Sequence, residues 1–125
     1  MAELYFNECR KKAGRSLCGA SCGIAAADGS SISDNARKVM ELCGIDASNF
    51  KSTQLTPEII ANADPIYTMT QRHADVIKSY FPEARVETLL DGQDVSDPFG
   101  GSLQTYLAAF DMMKAKLELL ASTID

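Results

Sequence analysis

The sequence has one histidine, no run of basic residues, and no apolar stretch near the roughly 18 residues that a membrane-spanning helix needs. Each shortage excludes something. A net charge of −5 without basic patches or interleaved aromatics excludes a surface for nucleic acid or for an anionic membrane. The lone His73 is far in sequence from Cys18 and Cys22, which are spaced C-x3-C, so the two closely spaced ligand pairs of a zinc site are missing. No metal and no other cofactor is expected. The opening "MAELYFNECRKK" lacks the order of a secretory leader, in which charge precedes the apolar stretch, so a cytoplasmic chain is expected. Internal repeats and low-complexity segments are lacking as well. Four cysteines (Cys9, Cys18, Cys22, Cys43) in a domain of this size do not make a disulfide scaffold and read as reduced, partly buried thiols.

What is present is a globular composition, 46% hydrophobic and 23% charged, over 125 residues, which is one domain spanning 1–125. Residues 2 to 13 place Ala2, Tyr5, Phe6, Cys9 and Ala13 at helical spacing, with Gly14 as the stop. "SLCGASCGIAA" (16–26) reads as a strand running into a loop. Ser33 or Asp34 caps a second helix with Ala36, Val39, Met40 and Cys43 on its apolar stripe and Gly44 at its end. Thr56 and Pro57 open a third. "PIYTM" (65–69) is strand-like, "TQRHADVIKSYF" is a helix with His73, Val76, Ile77 and Tyr80 along one face, and "ARVETLL" is another short strand. A long helix from near Ser102 buries Leu103, Tyr106, Leu107, Phe110, Met113, Leu117 and Leu120. Alternating helices and short strands predict an α/β fold with a parallel sheet. Three strands for four or five helices leave that sheet one strand short.

"CRKKAGRS" (9–16) has a cysteine, five residues, then Arg15 and Ser16. That spacing lets a thiolate attack a phosphorus atom held by backbone N–H groups and the arginine. Such a loop needs converging N–H groups and a helix directly behind it. Here a single glycine is available, the following "LCGASCG" is too glycine-rich to open a helix, and Cys9 falls on the apolar stripe of the first helix. Cys9 is therefore expected to be structural.

Nearly end to end, the sequence resembles the low-molecular-weight protein tyrosine phosphatases, a family that includes bacterial protein-arginine phosphatases. "MAELYFNECRKKAG" resembles the family's first helix, "SCGIAAADGSSISDNARKVMELCGID" its second strand, loop and second helix, and "STQLTPEIIANADPIYTMTQRHADVI" its third strand and flanks. "DVSDPFGGSLQTY" resembles the segment with the family's second signature, D-P-[FY] before a long terminal helix. The first signature, C-x-G-N-x-C-R-S-P, is not found. In the family it immediately precedes the M-A-E of helix one, so the chain is expected to lack the first strand, the nucleophilic cysteine and the phosphate-binding arginine. In the family's H-x-S-R-Q-L-T segment, Phe50 and Thr53 stand here in place of the histidine and arginine.

The resemblance implies a three-layer, flavodoxin-like fold with a parallel sheet in the order 2-1-3-4. With strand one missing from the centre, the sheet is expected to rearrange or to exchange strands in a homodimer. Taken alone, Asp97-Pro98-Phe99-Gly100 is a favoured type I turn with Asp97 first and Gly100 fourth. By resemblance, Asp97 is the general acid and then the general base of phosphomonoester hydrolysis through a phosphocysteine, and Phe99 is a wall of the substrate pocket. The implied partner is a phosphorylated protein, on tyrosine or arginine; "DPFGG" resembles the arginine-phosphatase and general bacterial forms. The alternative is a non-catalytic pseudophosphatase or dimerising module that keeps Asp97 and the fold. Without the loop, the chain itself is expected to be inactive.

Overall fold

The computed structural model describes residues 1–16, 19–23 and 28–124. Among these, five helices and two strands follow in the order α1 (Ala2–Lys12), α2 (Asp34–Leu42), α3 (Pro57–Asn62), β1 (Ile66–Thr68), α4 (Gln71–Tyr80), β2 (Val86–Thr88) and α5 (Leu103–Thr123). Helix starts follow local chemistry. The hydroxyls of Thr56, Thr70 and Ser102 accept the N–H groups of Ile59, His73 and Thr105 at 3.2, 3.2 and 3.3 Å, each satisfying an orphan donor of a first turn.

Helix α5 carries the core on two faces. Ala109, Met113, Leu117, Leu120 and Ala121 pack with Phe6 of α1, Leu89 and Val95. Tyr106 and Phe110 pack with Ala36, Val39 and Met40 of α2 and with Ile45 and Ala47. A third cluster joins Ile60, Ala74, Ile77 and Val86. Tyr80 departs from its expected buried stripe: it is 77% exposed. The buried positions of α4 are Ala74 and Ile77, and the next residue on that line is Phe81, which packs on the same cluster. Tyr80 lies about 100° around the helix from Phe81.

Strands β1 and β2 pair in parallel with Ile66 opposite Val86 and Thr68 opposite Thr88. Ile66 N–H donates to Arg85 O at 2.8 Å and Leu89 N–H to Thr68 O at 2.7 Å. Positions 66 and 68 thus face β2, and the alternation turns the N–H and C=O of Tyr67 to the opposite edge. Among the described residues no strand pairs with that edge, and the sheet holds two strands. Of the strand read over 16–26, residues 17, 18 and 24–26 lie outside the described residues. Its described part, 19–23, makes one parallel bridge, Gly23 with Gln54, and otherwise runs beside α1. Asn7 clasps Gly19 by two hydrogen bonds of 2.9 and 3.0 Å, and Glu3 accepts the N–H and hydroxyl of Ser21 at 2.7 and 2.9 Å. A β-carbon on Gly19 would stand 2.6 Å from Cδ1 of Phe6, so the approach requires glycine.

Arg10, in the last turn of α1, is 3% exposed. Its Nε donates to Ser16 O at 2.6 Å, and Nη1 donates to the carbonyls of Ala121 and Ile124 at the end of α5. A guanidinium there satisfies carbonyls that the last turn of a helix leaves open and complements the helix dipole. Arg10→Met would take the donor from the buried carbonyl of Ala121 and from Ser16 O, and leave Ile124 O to Arg15. It is expected to lower stability by about 2–4 kcal/mol, read as the shift of the urea midpoint, with amide exchange accelerating first in residues 119–124; an unchanged midpoint would show that the bonds contribute nothing net.

Candidate active site

The segment from β2 to α5 crosses the carboxyl end of β1. Val95 N–H donates to Met69 O at 2.8 Å, and Asp94 Oδ1 accepts Gln71 N–H at 2.8 Å in the first turn of α4. In α/β sheets, ligands collect at this end of the strands. The chain then turns at Asp97, whose Oδ1 accepts Phe99 N–H at 3.0 Å. Gly101 N–H closes a second turn on Pro98 O at 2.8 Å. The hydrogen-bonded turn is therefore Pro98–Gly101, one residue later than the Asp97–Gly100 turn expected from sequence. The reason is local: the Asp97 side chain organises the first bend, and Gly100 supplies a φ of 78° at the third position of the second. Both residues singled out by sequence end on this one turn, with the Asp97 carboxylate exposed and the Phe99 ring 84% exposed.

The turn is fastened to the helices behind it. A β-carbon on Gly101 would lie 2.9 Å from Pro98 O and 2.9 Å from Cγ2 of Thr105, which holds the turn tight against the start of α5. Asn35, in the first turn of α2, donates from Nδ2 to Gly101 O at 3.1 Å, and Ser33 Oγ donates to the Tyr106 hydroxyl at 3.3 Å. Met1, Ile32 and Leu103 pack against one cluster, so α1, α2 and α5 begin at the same end of the molecule as the turn. Asn35 and Asp94 were missed by sequence reasoning. Each looks like an ordinary polar residue, at a helix start or in a loop, and its partner is distant in sequence.

Cys9 is not part of this site. It sits inside α1, half-buried, and its thiol is raised above the ordinary cysteine range, first by burial, with the carboxylates of Glu118 and Glu8 adding to it against a Tyr5 hydrogen bond and Lys12. Arg15 donates from Nη1 to Ile124 O at 3.3 Å. A thiol raised in this way is the reverse of an activated nucleophile, so the C-x5-R spacing is helix α1 and its exit, as expected. Cys22 is exposed, Cys43 is half-buried, and Cys18 lies outside the described residues. His73 is half-buried on α4, and its backbone N–H serves the Thr70 cap. Phe50 is half-buried, while Thr53 is exposed and its carbonyl accepts Gly23 N–H. Among the described residues no three His, Cys, Asp or Glu side chains are grouped to hold a metal, and no helix is long and apolar enough to cross a membrane.

The family model described as Low molecular weight phosphotyrosine protein phosphatase matches residues 1–125. A protein-arginine-phosphatase of Geobacillus stearothermophilus is 38% identical over 112 residues, covering 83% of this chain and 74% of its own. The low molecular weight protein-tyrosine-phosphatase PtpB of Staphylococcus epidermidis is 33% identical over 103 residues, covering 75% and 73%. A crystal structure of a YwlE mutant from Bacillus subtilis superimposes with a TM-score of 0.86 at 32% identity, covering 98% of this chain and 87% of that one. The chain belongs to the low-molecular-weight phosphotyrosine protein phosphatase family.

Gly101→Ala tests the tightness of the turn. The added methyl meets a backbone oxygen and a threonine methyl, and is expected to cost about 1–3 kcal/mol. Thermal unfolding reads the loss; full stability with an intact Pro98–Gly101 hydrogen bond would mean that the approach relaxes freely.

Proposed function

We propose that the Asp97–Phe99 turn is the acid–base element of phosphoprotein hydrolysis through a phosphocysteine. In the first half-reaction a thiolate attacks phosphorus, the bond to the leaving atom breaks, and Asp97 gives that atom its proton. In the second, Asp97 takes a proton from water as the water oxygen attacks phosphorus and the thiolate leaves. Phe99 forms a wall for the phosphorylated side chain. The observation that carries this reading is the exposed carboxylate and exposed ring on a single anchored turn, at the strand end where α/β proteins bind ligands. Higher identity to an arginine phosphatase than to a tyrosine phosphatase, together with phenylalanine at 99, favours phosphoarginine over phosphotyrosine. Free thiols at Cys9, Cys22 and Cys43 accord with a cytoplasmic setting.

The reaction also needs a low-pKa thiolate inside a cradle of N–H groups. Cys9 in its helix meets neither need, so the 125 residues by themselves are predicted not to hydrolyse an aryl phosphate at slightly acid pH. Turnover that disappears in Cys9→Ser would refute this. In protein carrying a C-x-G-N-x-C-R-S-P loop ahead of Met1, Asp97→Asn is expected to lower turnover by about 10²–10⁴, with little change in affinity for a phosphate analogue. Equal losses in binding and turnover would assign Asp97 to the turn alone.

A second, non-catalytic reading rests on the edge of β1. Unpaired strand edges invite another strand, and a second copy of this chain is the proposed source, giving a homodimer by exchange. Light scattering over a range of concentrations is expected to find the dimer. A monomer throughout, with slow amide exchange at Tyr67, would remove this reading.

A further inference from the structure

We propose that Asn35 is a positioning residue that holds the Asp97 turn through α2; its catalytic meaning rests on Asp97 being the general acid. Helix α2 starts without a side-chain cap. Ser33, at the capping position, is a residue type that normally accepts an N–H of its own first turn. Here its hydroxyl donates to Tyr106 on α5, and Asn35 two residues on donates to the carbonyl of Gly101. Ser33 and Asn35 are thus spent on α5 and the residues leading into it, while Asp34 between them pairs with Arg37 of α2 itself. A helix start serving only its own stability would use Ser33 as the cap.

The acceptor is also placed to matter. Gly101 is where the turn joins α5, and its N–H closes the turn on Pro98. The carbonyl held by Asn35 is on the same residue, three positions beyond that acceptor. Asp97 is itself bonded to Phe99, inside the turn. Fixing Gly101 therefore fixes the frame from which the carboxylate is presented. On the far side of Gly101, Thr105 leaves no room for a β-carbon, so the turn lies close against the start of α5. Asn35 supplies the hold from α2.

Asn35→Asp separates positioning from general support. It keeps the size, removes the donor, and puts a negative charge in the first turn of α2, where a helix tolerates it well. On the 125-residue chain, the Phe99 and Gly101 amides are expected to exchange with water about five-fold faster, as for a lost hydrogen bond, while the melting temperature holds or rises. Asn35→Ala is expected to give the same loosening without the charge. Unchanged exchange at both amides in both variants would overturn the proposal, and so would an acceleration shared equally by Phe110 in the middle of α5. The readout does not depend on what Asp97 does. Loosened amides alongside full turnover of Asp97→Asn in protein carrying the C-x-G-N-x-C-R-S-P loop would keep Asn35 as the anchor of the turn and discard the acid–base reading.

Discussion

Helix α5 has to be covered on two sides, and the rest of the molecule is arranged around that requirement. Its larger buried side chains, Tyr106, Phe110, Met113, Leu117 and Leu120, are each worth about 1.5–3 kcal/mol when removed from water. They point in two directions, and no single neighbour can cover both. Helix α1 with Leu89 and Val95 closes one side; α2 with Ile45 and Ala47 closes the other. Tyr5 joins the two, its ring edge-on to Phe110 with centroids 4.9 Å apart and its hydroxyl donating to Glu118 at 3.0 Å. Arg10 fastens the far end of α5 through its last carbonyls.

The Asp97 turn inherits its position from this arrangement. It lies where the chain leaves the strand end at Val95 and enters α5 at Ser102, so it is held between two parts that are already packed. Only then do short polar contacts matter: the Asp97 to Phe99 bond, the Pro98–Gly101 turn and the Asn35 clasp together give an exposed segment a defined shape.

Two thiols near α5 show the opposite use of the same packing. Cys9 and Cys43 line a cavity of about 360 Å³ with Tyr5, Glu8, Lys12 and Glu118. Burial and acidic neighbours keep Cys9 protonated, so an accessible thiol in this position is chemically quiet. A motif spacing in sequence says nothing about the direction in which a thiol is shifted. That depends on which residues surround it.

Much of the architecture was legible from residue order alone because it is set locally. The Thr56 cap, the 3.6-residue stripes of α1, α2 and α5 and the strand segments 66–68 and 86–88 follow from propensity, capping and periodicity, whereas the cap expected at Ser33 or Asp34 makes no side-chain bond to α2. So does the demotion of Cys9, since a cysteine on a helical stripe cannot sit in a ring of converging N–H groups. Asp97 and Phe99 were singled out because a turn sequence and a family signature coincide on four consecutive residues. Tertiary structure decided the remainder. The burial of Arg10 and the clasp of Asn35 on Gly101 depend on partners up to 114 residues away, and the exposure of Tyr80 on which side of α4 its neighbours cover. Local rules govern the backbone's own hydrogen bonds; which polar side chain reaches across to a distant carbonyl is settled only when the helices have packed.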